Sequence, residues 1–286
     1  MTILLSRRTM LAAAALLLDA AIPAVAAPAD GVALAPHRAV YDLKLLKSHG
    51  SRGVASVRGR ILYDFSGNAC DGYDLKFRQV SELDSGEGKA VLSDLNSTTW
   101  EDAQARSFRF SSQNRMNEKA ADAVNGQAER RTKTVAINLT KPKPKALSMP
   151  ATAVFPTEHM RRIIAAARAG TTMLELPVYD GSETGEKLYN TFTLIGKAIP
   201  PGAKPPTDAT ATVPALAKLT RWPVTISYFE RRADSEIQKG EQTPVYVIGF
   251  ELYENGISRA LILDYSDFSI AGEMTSLEMK KEKPCR

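Results

Sequence analysis

Over most of its length the chain alternates apolar and polar side chains with a period of two, which restricts it to strands with one dry and one wet face. In "YDLKFRQV", Tyr73, Leu75 and Phe77 fall on one face while Asp74, Lys76 and Arg78 fall on the other. The same rhythm runs through "HRAVYDLKLLKSH", through "VRGRILYDF" with Ile61, Tyr63 and Phe65, and through "ARSFRFSSQNRM" with Phe108 and Phe110. It returns in "KLYNTFTLIG", "WPVTISYFERR", "TPVYVIGFELYE", "ISRALILDYSDF" and "GEMTSLEMKK". Such alternation is the mark of a half-solvated antiparallel sheet. Asn255-Gly256 lies between two of these runs and suits the two positive-φ positions of a type I′ turn, so a tight hairpin is expected over 244–265.

One segment has helical spacing. "FPTEHMRRIIAAARAG" offers Thr157 as N-cap, Glu158 in the first turn and Gly170 just past the end, predicting a helix near 157–169. Met160, Ile163, Ile164 and Ala167 form its apolar stripe, leaving Arg161, Arg162 and Arg168 for solvent. Two proline-rich stretches, "KPKPK" at 141–145 and "IPPGAKPPTD" at 199–208, read as extended loops. The order is roughly seven strands, a proline-rich crossing, one helix, and six or seven more strands. That predicts a single large all-β domain of about 14 strands over 27–286, with two small β domains joined at "KPKPK" as the alternative.

The first 26 residues carry Arg7 and Arg8, nine apolar residues from Met10 to Leu18, and the small-x-small sequence Ala24-Val25-Ala26. This is the layout of an export signal cleaved near Ala26, and it predicts a periplasmic location. The adjacent arginines fit twin-arginine export as well as the general route. No later run approaches the roughly 20 apolar residues of a spanning helix, so no membrane-spanning helix is expected. The net charge of +5 is spread among interleaved acids and bases, which argues against a nucleic-acid footprint. Only Cys70 and Cys285 are present. In an oxidising compartment two cysteines most simply form a disulfide. A free redox-active thiol and an intermolecular link are the other readings, although neither cysteine has CxxC spacing or a flanking histidine.

Catalytic motifs are sparse. His37, His49 and His159 are far apart in sequence and lack metal-ligand spacing, so no metal or cofactor is expected. There is no GxSxG elbow, no Ser-x-x-Lys pair and no glycine-rich phosphate loop. Two acidic turns remain. "DGSETGE" gathers Asp180, Gly181, Ser182, Glu183, Gly185 and Glu186, either as oxygen ligands for a cation or as a turn in which Asp180 and Ser182 satisfy the backbone. "LDYSDF" holds Asp264, Tyr265, Asp267 and Phe268, spaced for acid–base work or for capping a strand end. Finally, Tyr41, Tyr63, Phe65, Trp222, Tyr228, Phe229, Tyr246 and Phe250 recur on strands at both ends of the chain. On a curved sheet they would line an apolar groove, and on a covered one they would be core.

Taken together, "ALAPHRAVYDLKL", "DGSETG" before a strand ending in Ile195-Gly196, and the tail "ELYENGISRALILDYSDFSIAGEMTSLE" closing on a near-terminal cysteine resemble the EipB-like family of cell-envelope integrity proteins. The resemblance spans the whole chain after the signal. It implies a β-spiral wound into an open, cup-like barrel, a bridge matching Cys70 to Cys285, and an envelope role; it implies no catalytic residues. The leading expectation is therefore a non-catalytic binder of a lipid, lipoprotein or protein partner. The alternatives are an envelope hydrolase using a carboxylate pair drawn from Asp180, Glu183, Asp264 and Asp267, and a scaffold that pairs through open sheet edges.

Overall fold

In the computed structural model of the protein, the described residues are 31–48, 54–86, 88, 90–203, 213–231 and 243–285. The export signal, His49 and the end of the second proline-rich stretch lie outside them. Eight strands precede the helix: β1 (His37–Ser48), β2 (Ser56–Asn68), β3 (Gly72–Asp84), β4 (Ala90–Glu101), β5 (Ser107–Met116), β6 (Lys119–Arg130), β7 (Thr134–Lys141) and β8 (Lys145–Pro150). The helix α1 (Pro156–Arg168) follows. Then come β9 (Met173–Val178), β10 (Tyr189–Ile195), β11 (Arg221–Glu230), β12 (Tyr246–Tyr253), β13 (Ser258–Asp264) and β14 (Phe268–Met279).

All fourteen strands belong to one antiparallel sheet with β1 near its middle. On one side the order runs outward from β1 through β2 to β8, and on the other β1 pairs with β14 and the order runs back to β9. The two edge strands, β8 and β9, are thus consecutive in sequence and joined by the 151–172 connection that contains α1. Laid flat, such a sheet would be about 60 Å wide at about 4.8 Å per strand, whereas a thirteen-residue helix spans about 20 Å. The sheet has to curl. Its edges are drawn together where Val154 bridges Val178 in parallel, through Val154 N–H to the Pro177 carbonyl at 2.8 Å and Tyr179 N–H to the Val154 carbonyl at 2.9 Å.

Packing across the curl is divided among separate apolar clusters. One cluster sets Phe108, Phe110, Ile137 and Leu139 of β5 and β7 against Phe155, Tyr179 and Leu188 from the other arm. The loop between β9 and β10 lies directly on the sheet. A Cβ at Gly181 would sit 2.5 Å from the Phe110 ring, and one at Gly185 would sit 2.8 Å from Leu139 and Val124. Both glycines also have positive φ, so any larger residue is excluded twice over. A second cluster buries Ile163, Ile164 and Ala167 of α1 against Phe65, Tyr73, Trp222, Val224 and Leu252.

Cys70, in the turn between β2 and β3, is disulfide-bonded to Cys285 with Cα atoms 5.6 Å apart, which settles the choice among the three thiol readings. Buried Asn68 organises this junction: its Oδ1 accepts the Cys70 and Asp71 N–H groups at 2.8 and 2.7 Å, and its Nδ2 donates to the Lys283 carbonyl at 3.1 Å. The chain tail is therefore bound to the β2–β3 turn by hydrogen bonding as well as covalently.

Four local expectations need correction. The stretch 141–145 is the hairpin turn between β7 and β8, since two short paired strands need only a few connecting residues. The Asn255-Gly256 hairpin forms, but only Gly256 has positive φ, so the turn is not type I′. Gly256 N–H donates to the Tyr253 carbonyl at 2.9 Å, making a three-residue loop with a left-handed glycine, and the Asn255 side chain accepts from Ile257 N–H. The helix starts at Pro156, after Phe155, with no cap from Thr157. And Arg161 is buried, donating to the Ala103 carbonyl at 2.7 Å, because α1 lies across the β4–β5 turn. The helix C-terminus is as expected: Gly170 takes φ 75° and closes a Schellman turn with Thr171.

Candidate functional site

The site begins with what holds α1 in place. Glu101, at the end of β4 and almost fully buried, accepts the N–H groups of Thr157 and Glu158 with its two carboxylate oxygens, both at 2.7 Å. A carboxylate from a distant strand thus caps the helix where the local sequence supplies none. Glu158 in turn pairs with Arg130 at 2.7 Å and Arg162 at 2.5 Å. Arg130, from the end of β6, also donates to the carbonyls of Ala105, Ala151 and Ala153 and stacks its guanidinium over Phe155 at 5.0 Å. The network ties β4, β6 and the connection after β8 to the first turns of the helix.

Burial, with help from the neighbouring Glu158 carboxylate, pushes Glu101 up to about 7 against the pull of its backbone hydrogen bonds. His159, one residue further along the same helix, is pushed down to about 4 by burial and by Arg162. The two act in opposite directions. Between about pH 4.5 and 7 the unfolded Glu101 is ionised while the folded one keeps its proton, so its contribution to stability falls as pH rises. Between about pH 6.5 and 4 the unfolded His159 takes up a proton while the folded one does not, so its contribution falls as pH drops. The slopes offset one another in the wild-type protein. Chemical denaturation from pH 4.5 to 7 should therefore show Glu101→Gln gaining stability relative to wild type as pH rises, by up to about 1.4 kcal/mol per unit. His159→Gln should gain as pH falls. Parallel curves for wild type and Glu101→Gln would refute the assignment.

Beneath the helix, the inner face of the curled sheet encloses a lumen with two connected lobes. The inner lobe, of about 410 Å³, is walled by Leu34, Tyr63, Phe65, Met160, Ile226 and Phe250. The outer lobe, of about 860 Å³, opens past Val245 and Tyr265, both exposed. Leu75, Phe77, Thr99, Pro156, Asp180, Tyr246 and Ile248 line both. One wall of the outer lobe is apolar, from Tyr246, Ile248 and Leu263, whereas the floor on β4 to β6 sets Ser97, Ser112, Asn114 and Asp122 among Leu95, Phe110 and Val124. The lumen is amphipathic.

Of the aromatic residues expected to form a groove, Tyr63, Phe65, Tyr228, Tyr246 and Phe250 line the inner lobe. Tyr41 and Trp222 do not. Tyr41 is packed with Ile61, Ile257 and Met274 and donates its hydroxyl to the Ser258 carbonyl at 2.7 Å, while Trp222 is buried in the cluster under α1. Phe229 lies among Glu175, Asn190 and Phe192 in a separate surface groove, as its parity opposite to Tyr228 requires. Tyr228 and Tyr246 stack at 4.4 Å, and Tyr189 meets both edge-on at 6.1 Å. Burial raises all three hydroxyls above the ordinary tyrosine range, and the Asp180 carboxylate adds to this.

The structure also gathers three of the four carboxylates singled out from sequence. Asp180, Glu183 and Asp264 line the outer lobe, and Asp267 does not. Asp180 accepts Ser182 N–H at 2.9 Å in the expected turn, and burial raises it above the usual carboxylate range. Glu183 accepts the Tyr189 hydroxyl at 2.7 Å and pairs with Lys187 at 2.5 Å. No group of three acidic, histidine or cysteine side chains among the described residues is arranged to hold a metal. His37 and His159, which face the inner lobe, are both pushed down by burial and so are uncharged at neutral pH. Leu75, Phe77, Thr99 and Ile248 were not anticipated as lining residues. Their parity with Phe65 and Phe250 would have marked them once the strand register was known.

A curled antiparallel sheet, closed by a helix around a lumen, defines an open, barrel-like protein. The model of the EipB-like family matches residues 28–281, and this chain belongs to that family. It is 37% identical over 254 residues to the cell envelope integrity protein EipB of Brucella abortus (strain 2308), covering 89% of this chain and 87% of the relative. A crystal structure from Brucella abortus, described as a beta-barrel-like protein of a domain of unknown function, superposes with a TM-score of 0.79 at 34% identity. That match covers 87% of this chain and all of the other. No helix among the described residues is long and apolar enough to cross a membrane.

Proposed function

We propose that this chain is a non-catalytic periplasmic protein that supports cell-envelope integrity by holding the apolar part of an envelope lipid or lipoprotein in its lumen. The observation that carries this reading is the two-lobed cavity itself. Its outer lobe falls within the roughly 300–1,000 Å³ of small-molecule sites, and an apolar inner lobe continues beneath it. Membership of a family that includes an envelope integrity protein supports the role, and the disulfide and the signal-like N-terminus support export.

The test is gentle-ionisation mass spectrometry of protein purified from the periplasm, alongside an Ile248→Trp variant whose larger side chain projects into both lobes. The expected result is a lipid or lipopeptide adduct on the wild type that the variant lacks. A ligand-free wild type that also fails to take up an uncharged fluorescent amphiphile would overturn the reading and turn the search toward a protein partner.

A further inference from the structure

Among the described residues, the ionised side chains lining the lumen are all acidic. Asp122, Asp180, Glu183 and Asp264 line the outer lobe, and no Lys or Arg lines either lobe among the described residues. This is unlike the rest of the molecule, where bases outnumber acids. Glu183 is already balanced by Lys187. Asp180 is not: its described hydrogen bond comes from Ser182, and no described Lys or Arg pairs with it.

Asp180 also occupies the decisive place, at the junction of the two lobes beside the Tyr228–Tyr246 stack. Burial disfavours a lone charge on Asp180, and an ammonium ion beside it, flanked by aromatic rings, supplies the missing countercharge by Coulomb force and through the ring quadrupoles. An anionic head group would face repulsion there with no countercharge to offset it. No described Lys or Arg lines the inner lobe and its wall is largely apolar, so it suits a hydrocarbon tail.

Resting on the lumen reading above, we propose that the site selects amphiphiles with a cationic nitrogen, the tail in the inner lobe and the ammonium group at Asp180 between the tyrosines and the outer-lobe carboxylates. Anionic lipids of the same chain length are discriminated against. The head-group preference follows from side chains that face the cavity and is independent of the protein's net charge.

Three probes with a common twelve-carbon chain separate the terms: dodecyltrimethylammonium, dodecyl maltoside and dodecyl sulfate, each used well below micelle formation. Binding to the purified protein is measured by calorimetry and by displacement of a fluorescent fatty amine. The cationic probe should bind at least about tenfold more tightly than the sulfate, with the maltoside between them. Asp180→Asn should bring the cationic probe close to the neutral one, weakening the cation by a larger factor than the maltoside. A second variant, Tyr246→Leu, should weaken the cationic probe more than the maltoside. Equal binding of all three probes, or an Asp180→Asn variant that still prefers the cation, would overturn the head-group assignment while the lumen remained a binding site. Failure of every probe to bind would overturn the lumen reading as well.

Discussion

Replacing Cys285 with serine should lower the melting temperature by about 6 to 12 °C and leave the far-ultraviolet signature of the β-sheet intact. The bridge joins positions 215 residues apart, and closing a loop of that size costs the unfolded chain about 5 kcal/mol in the chain-entropy model. Measured effects are usually smaller, so a loss of about 3 kcal/mol is the working value, and at this chain length each kcal/mol moves the midpoint by about 2 to 4 °C. The fold should persist because the same junction is held by Asn68, whose side chain reaches both the Cys70 turn and the Lys283 carbonyl. Differential scanning calorimetry tests this in two ways. Cys70→Ser should give the same drop, the double variant no more than either single one, and a reductant should bring the wild type to the same midpoint. An unchanged midpoint in Cys285→Ser would mean that the bridge contributes nothing to stability.

Arg130→Met should be at least as damaging, with a loss of about 3 kcal/mol or more in urea denaturation. The reason is the number of groups that one guanidinium satisfies. Three carbonyls, Ala105, Ala151 and Ala153, lose a donor, and Glu158 loses one of its two cationic partners in a largely buried position. Breaking a buried pair by removing one member typically costs about 3–5 kcal/mol, because the remaining charge stays desolvated. Glu158 keeps Arg162, which places the expectation near the lower end. Adding Glu158→Gln to Arg130→Met should recover part of the loss, whereas Arg60→Met, which removes an exposed pair with Asp42, should leave stability unchanged. Equal effects at Arg60 and Arg130 would show that the network does not hold the edges of the sheet. Because Arg130 fixes the connection that draws β8 toward β9, its loss should also loosen the lumen, visible as faster amide exchange in α1.

The strand content could be read from the sequence because it depends on local spacing. Period-two alternation puts Leu75 and Phe77 on one face whatever the partner strand, and the stripe of Ile163, Ile164 and Ala167 specifies an amphipathic helix in the same way. The acidic turn around Asp180 was legible too, because an Asx turn is closed by its own neighbours. The turn at Asn255-Gly256 shows where local rules stop. A hairpin was specified, but its turn type depended on how Gly256 packs against Leu34, where a Cβ would come within 2.7 Å.

The site lay beyond sequence reach for a related reason. Alternation assigns a residue to a face but not to a height along the strand, and only height separates Trp222, buried under the helix, from Tyr228, which faces the lumen on the same side of β11. Likewise nothing near Thr157 announces that its cap comes from Glu101, 56 residues earlier. The sequence by itself determined an all-β chain with one helix and two cysteines, since propensity, periodicity and composition act over a few residues. Only the tertiary structure decided that the sheet curls until its two arms meet beside α1, and that the curl leaves a cavity whose charged lining, among the described residues, is acidic. Those outcomes depend on contacts between distant strands, which the closure of the sheet brings together.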